Sequence, residues 1–184
     1  MRLDDLKDKF GDLIKIEWKA FMLRPTEAGR KTREEFIEYT RNWARMPEVD
    51  PRLEATSPWG SDDPSPSHSL PALAAAKLVT AYGTDAKDDF HHRMFKAYFS
   101  QNRTISDLAV ITSIAAEAGV DRVEFGAAFE AQYDTLANAV IGDHNEAQQL
   151  GISGVPATIV NNEVLVSGAQ PTETFIRLIE ERLA

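Results

Sequence analysis

The sequence predicts an α/β fold: a short helix and a strand at the N-terminus, a long helical region, and a C-terminal hairpin with a closing helix. Three observations carry this. Val164-Leu165-Val166-Ser167 and Ala157-Thr158-Ile159-Val160 are β-branched runs separated by the polar turn Asn161-Asn162-Glu163, the pattern of a tight hairpin. Leu13 to Phe21 alternates, with Ile14, Ile16, Trp18 and Ala20 on one face and Lys15, Glu17 and Lys19 on the other, as an edge strand would. Helical spacing fills most of the rest.

In chain order, Leu3, Leu6 and Phe10 have the spacing of an amphipathic helix that Gly11 stops. The strand over Leu13 to Phe21 follows. Thr32-Arg33-Glu34-Glu35 is a capping box opening a helix with Phe36, Ile37, Tyr39 and Trp43, and Met46-Pro47 ends it. Residues 47 to 71, with six prolines, Asp62-Asp63 and several serines, form an irregular connection. The alanine-rich stretch Ser69 to Tyr82 is a buried helix stopped by Gly83, since small residues let neighbours approach. Thr84 to Ser100 is the next helix, with Phe90, Met94, Phe95, Tyr98 and Phe99 as its apolar set. Ser106 caps a helix ending at Gly119, Asp121 caps a short one with Val123, Phe125, Ala128 and Phe129, and a last helix runs from about Thr135 to Leu150. Beyond the loop Gly151-Ile152-Ser153-Gly154-Val155-Pro156 and the hairpin, Pro171 suits a first helical position. Phe175, Ile176, Leu178, Ile179 and Leu183 then share one face, with Glu180, Glu181 and Arg182 on the other.

Composition narrows the function. At 184 residues, 43% hydrophobic and 27% charged, the chain can build one substantial core without repeats or low-complexity tracts. Its 29 acidic and 20 basic residues give a formal charge of −9, which repels nucleic-acid phosphates and anionic membranes at long range. Neither is an expected partner. No apolar run approaches the roughly 20 residues that span a bilayer, and Met1 to Phe10 is too charged for a signal peptide, so the cytoplasm is the default location. There is no cysteine, hence no disulfide, thiolate metal site or intrachain dithiol chemistry.

Candidate chemistry is sparse. Asp88, Asp89, His91 and His92 form a cluster with some metal-ligand character, and Asp88 with His92 is an i, i+4 pair. A third ligand is lacking and adjacent histidines diverge by about 100° on a helix, so a solvated polar face is the reading. His68 and His144 are isolated in sequence. The glycines at 151 and 154 precede a strand and not a helix, so they form no phosphate cradle. No serine, histidine and acid arrangement follows from spacing. No metal, no cofactor and no catalytic residue is assigned.

The words GISGVPATIV and VLVSGAQPTETFIRLIEE resemble the DsbA family, nearest its FrnE-like branch, which is related to 2-hydroxychromene-2-carboxylate isomerases and kappa-class glutathione transferases. The resemblance implies a thioredoxin-like fold of DsbA type: one domain, with thioredoxin-like parts at about 1–28 and 144–184 and a helical insertion over about 29–143. On residues alone, Pro156 is a trans proline ending a surface loop; the resemblance implies a cis Val155-Pro156 bond. It also implies a substrate site at Gly154, Val155 and Pro156, with the Val155 backbone open to an extended peptide or to a thiol such as glutathione. Trp59 is then either a substrate contact or a ring packed on a helix.

The family's first strand and its Cys-x-x-Cys turn, or the serine of the glutathione-using branch, would precede Met1. The first strand is central in such sheets, so the expectation is a chain shortened at its N-terminus or a misplaced start codon. A gap one strand wide would then be closed by direct pairing of Leu13 to Phe21 with Ala157 to Val160, or by a homodimer. Two functions follow: a DsbA-like or FrnE-like oxidoreductase relative, or glutathione-dependent relative, inactive as this cysteine-free chain; or a non-catalytic peptide-binding module.

Overall fold

The structure, a computed structural model, describes residues 2–27, 31–49 and 59–183. The chain divides into two compact units, one of residues 1–21 and 143–184 and one of residues 22–142.

In the first unit, α1 (Arg2–Phe10) ends at Gly11, whose φ of +51° opens a single 3-10 turn over Gly11–Leu13. The hairpin pairs β1 (Ala157–Val160) with β2 (Val164–Ser167), Thr158 opposite Val166 and Ile159 opposite Leu165. Asn161 and Asn162 both take left-handed backbone, at φ of +51° and +59°, and the Glu163 N–H donates to the Val160 carbonyl at 3.1 Å. Asparagine tolerates this region better than other residues with a side chain, so the Asn-Asn pair sets the turn. The closing helix α8 (Thr172–Leu183) lays Phe175 on Leu6, Phe10 and Val166, with Leu3, Ile14, Ile176, Leu178 and Ile179 around them. Burying a side chain such as Phe175 stabilises by about 1.5–3 kcal/mol. An ion pair joins Lys9 of α1 to Glu180 of α8 at 2.9 Å, and at this exposure it contributes little. Leu183, expected on the apolar face, is 51% exposed. Arg182, expected on the wet one, turns back: its Nη1 donates to the Leu178 carbonyl at 2.8 Å and its Nε lies 3.9 Å from Glu163.

Leu13 to Phe21 is not a strand. After the 3-10 turn, Ile14 is extended (φ −127°, ψ 147°), and Ile14, Ile16 and Ala20 are at least half-buried between exposed Lys15, Glu17 and Lys19. The alternation is therefore present, apart from Trp18, which is 43% exposed. What is lacking is a ladder, because among the described residues β1 pairs with β2 alone and the expected direct pairing with Leu13 to Phe21 does not form. The segment is fixed instead by a side chain: the carboxylate of buried Asp143 accepts the Ala20 N–H at 2.8 Å.

The second unit is helical. Thr32 caps α2 (Arg33–Thr40) with the full reciprocal box, Glu35 N–H to Thr32 Oγ1 at 3.2 Å and Thr32 N–H to Glu35 Oε2 at 2.8 Å. Met46-Pro47 does not end this stretch. A 3-10 segment (Arg41–Arg45) leads into a short α3 (Met46–Val49), where proline sits in the first turn and needs no N–H partner. The part of the irregular connection that holds Pro51 and Pro58 lies outside the described residues. Around the buried Phe90, Ile111, Ile114 and Phe125 pack α4 (Leu70–Leu78), which continues as a 3-10 turn to Tyr82, α5 (Thr84–Phe99) and α6 (Leu108–Glu117). In α5 the buried residues are Phe90 and Ala97, while Phe95 is 51% exposed and stacks on Phe99 at 6.0 Å. Asp107, not Ser106, caps α6, accepting from Ala109 at 2.7 Å; Ser106 Oγ accepts the Ser67 N–H at 3.0 Å.

The two helices expected from Asp121 to Leu150 are one, α7 (Arg122–Gln149), of 28 residues. Asp121 does cap it, accepting from Glu124 at 2.8 Å. Glu130-Ala131-Gln132-Tyr133-Asp134, where a break was expected, contains neither glycine nor proline, and nothing there competes with the helix. No helix among the described residues is long and apolar enough to cross a membrane.

Candidate functional site

The site loop begins where α7 stops. Gly151 occupies left-handed backbone (φ +78°); its N–H donates to Gln148 O at 3.0 Å and the Ile152 N–H to Ala147 O at 2.9 Å. These two bonds make a Schellman motif, which satisfies two terminal carbonyls and turns the chain sharply out of the helix. Six residues after Gly151, β1 begins. Between them lie Gly154, half-buried, and Val155 and Pro156, both exposed, Val155 at 48%. The Val155–Pro156 peptide bond is cis.

The three residues singled out from the sequence thus sit together at one end of the hairpin. They line a cavity of about 240 Å³ with Gly151, Ile152, Ser153, Ser167 and Gly168. Ser167 and Gly168 were not anticipated, yet the register contains them: once Ala157 faces Ser167, Pro156 must face Gly168. The contact is direct, the Gly168 N–H donating to the Pro156 carbonyl at 2.9 Å. Gln170 closes the corner, its Nε2 donating to the Ser167 carbonyl at 3.0 Å.

No lining residue is ionisable near neutral pH, so the cavity offers only two hydroxyls and main-chain groups. Among the described residues, the Val155 N–H and carbonyl have no hydrogen bond. Such a site can hold an extended chain by its backbone, and its lining places no ionisable base beside either serine hydroxyl.

The other candidates fall to structural roles. Trp59 is 2% exposed, its ring set edge-on to Phe36 at 5.2 Å and its main-chain N–H donating to the Thr40 hydroxyl at 2.8 Å; it is the packed ring. Asp89 pairs with Arg93 at 2.8 Å and Asp88 with Lys87 at 3.5 Å, and no group of three potential metal ligands occurs among the described residues. His68 and His144 are not isolated. His68 Nδ1 lies 2.8 Å from Ser67 Oγ and 3.6 Å from Glu27, and His144 meets the Phe21 ring at 4.7 Å. The Ser67, His68 and Glu27 trio is no catalytic triad, because serine and acid crowd the same ring nitrogen. A wide depression of about 570 Å³ on α2, lined by Lys31, Glu34, Glu35, Glu38 and Tyr39, consists of exposed side chains with nothing convergent.

A hairpin entered through a cis proline, flanked by α1 and α8 in one unit, with a helical second unit in the chain between, defines a thioredoxin-like domain of DsbA type. The chain matches the DSBA-like thioredoxin domain over residues 1–180 and belongs to that family of thiol–disulfide oxidoreductases. It is 23% identical over 173 residues, 93% of its length, to the uncharacterized protein YwbO of Bacillus subtilis (strain 168), covering 84% of that protein. Two solved structures share the fold. A candidate protein disulfide isomerase from Nitrosomonas europaea has a TM-score of 0.75 at 15% identity, over 99% of this chain and 88% of that one. The cytosolic disulfide reductase DsbM from Pseudomonas aeruginosa has a TM-score of 0.70 at 18% identity, over 100% of this chain and 91% of that one.

Proposed function

We propose that this chain is a FrnE-like member of the family that binds an extended peptide, or a thiol such as glutathione, at Gly154, Val155 and Pro156, and performs no dithiol chemistry of its own. The observation that supports it is the unpaired Val155 main chain beside a cavity with no ionisable lining. A backbone N–H and carbonyl presented together match the main chain of an extended ligand, whatever its side chains. The absence of cysteine removes the thiolate that attacks a disulfide sulfur. The charge of −9 argues against nucleic acid as a partner. The cytoplasm is the proposed compartment.

Two measurements test this. Titration with carboxymethylated insulin B chain, an unfolded polypeptide, should shift the backbone amide resonances of Ser153, Gly154 and Val155 and of Gly168, while leaving the α5 and α6 amides unmoved. Binding that leaves the loop resonances in place, or no binding, would sink the reading. In an insulin-reduction assay with dithiothreitol the chain should give no turnover above the buffer blank; a rate that scales with protein would refute the non-redox half.

A further inference from the structure

A guanidinium drawn out of water needs a counter-charge or acceptors for its N–H groups. In the helical unit Arg33, Arg93 and Arg103 each meet a carboxylate, at 3.0, 2.8 and 3.0 Å, and Arg41 pairs with Glu38. Arg24 is half-buried and, among the described residues, meets none. Its guanidinium lies over the Phe36 ring, 5.3 Å from the centroid, and one N–H reaches the Tyr98 phenol oxygen at a long 3.4 Å. The other donors of the fork have no acceptor among the described residues.

The phenol is in a similar position. Its oxygen accepts from Arg24, and its own proton has no acceptor among the described residues. Burial pushes its pKa up to about 12, so it stays a donor through the neutral range, and the charges that bear on it belong to Arg24 and Tyr39, with no carboxylate among them. Acids elsewhere in the unit are engaged: Glu35 closes the capping box on Thr32, Glu38 holds Arg41 and Asp62 holds Arg33. Three elements fix the two donors. The Arg24 N–H donates to Ser69 Oγ at 3.1 Å, and the Arg24 carbonyl accepts the Ser69 N–H at 2.8 Å. Phe36 is fully buried in α2, and Tyr98 stands on α5 with the Trp43 and Trp59 rings at 4.9 and 6.1 Å.

We infer that Arg24 and Tyr98 form an oxyanion site on the helical unit: the guanidinium fork takes two oxygens of a carboxylate or phosphate group, and the phenol donates its proton to one of them. Phe36 covers one face of the fork, so the ligand comes in along its plane, the geometry in which arginine binds planar and tetrahedral oxyanions with two parallel bonds. The net charge of −9 acts at long range and is screened by salt, whereas the fork acts at contact. The site shares no residue with the cis-proline loop.

Nuclear magnetic resonance of the full chain tests it, with inorganic phosphate and acetate titrated separately against sodium chloride at equal ionic strength. The Arg24 Nε–H and Tyr98 ring resonances should move saturably with an oxyanion and stay in place with chloride. Tighter binding of phosphate would assign the site to phosphate groups and tighter binding of acetate to carboxylates; equal binding would support a fork that accepts both. Tyr98→Phe removes one donor, and affinity should fall roughly threefold to tenfold. Arg24→Lys keeps the charge and loses the fork, so affinity should fall by about tenfold or more. If the lysine variant does not fold, the parent titration and Tyr98→Phe still decide. No movement of either resonance, movement matched by chloride, or a Tyr98→Phe variant that binds as tightly as the parent would each overturn the site. A folded Arg24→Lys variant of unchanged affinity would do the same.

Discussion

The carboxylate of Asp143 accepts the main-chain N–H of Ala20 at 2.8 Å, and both residues are buried. This bond ties the extended segment after α1 to α7, in the absence of any ladder, while Lys19 next door reaches Glu146 at 3.3 Å and Asp143 at 3.8 Å. Asp143→Ala should destabilise the protein by about 1–3 kcal/mol, the cost of a buried donor left without a partner. Asp143→Asn keeps an acceptor oxygen and should cost less. Urea unfolding followed by circular dichroism measures both; equal losses would show that the negative charge, not the acceptor, is what matters.

Gly151 turns α7 into the site loop at φ +78°, with nothing within 4 Å of where a Cβ would stand. Gly151→Ala therefore meets no steric neighbour, and its cost is the left-handed backbone alone, about 1–2 kcal/mol. A second consequence falls on the site, because the Gly151 and Ile152 bonds to the helix end position the residues that follow. The thermal midpoint should drop and the Gly154 and Val155 amide resonances should move. A variant as stable as the parent would mean that the Schellman geometry is not what holds the loop.

What the sequence disclosed were the features decided within a few residues. Asn161-Asn162 announced the turn, Thr32 and Glu35 the capping box, and Pro156 with its glycines the loop, since each conformation is set by the chemistry of the residues that adopt it. The errors lie where a distant partner decides. The alternation from Ile14 to Ala20 is real, but strand is a property of a pair, and β1 pairs only with β2 among the described residues. The unity of α7 was hidden by Thr135, which can cap a helix but is accommodated inside one when nothing upstream breaks the ladder. Ser106 and Asp107 are both able caps, and only the Ser67 N–H, 39 residues away, assigned the serine elsewhere.

Tyr98 is the phenol that burial affects most. Loss of solvent pushes its pKa up to about 12, against the opposing effect of the Arg24 guanidinium, whose Nη2 lies 3.4 Å from the phenol oxygen. Because the folded pKa is raised, Tyr98 stays protonated while the unfolded chain already ionises. The unfolded state then binds fewer protons, so stability should be flat below pH 10 and fall as pH rises from about 10 to about 12, at up to about 1.4 kcal/mol per pH unit. Phenolate absorbance should show one tyrosine ionising near pH 12, and Tyr98→Phe should flatten the stability profile in that window. An unchanged profile would assign the alkaline loss to another group.

Thr40 holds Trp59 from the opposite side of the proline-rich connection. Its hydroxyl is buried, donates to the Phe36 carbonyl at 2.9 Å and accepts the Trp59 N–H at 2.8 Å, while the indole nitrogen donates to Asp63 O at 3.2 Å. Thr40→Val preserves shape and volume but leaves the Trp59 amide without its acceptor, so the loss should be about 1–3 kcal/mol. Thr40→Ser retains the hydroxyl and removes only a methyl group, at about 1 kcal/mol. Tryptophan fluorescence separates the two, since a freed Trp59 should redden in the valine variant and stay put in the serine one. If Trp59 served a ligand rather than the fold, both variants would be as stable as the parent and only peptide affinity would change.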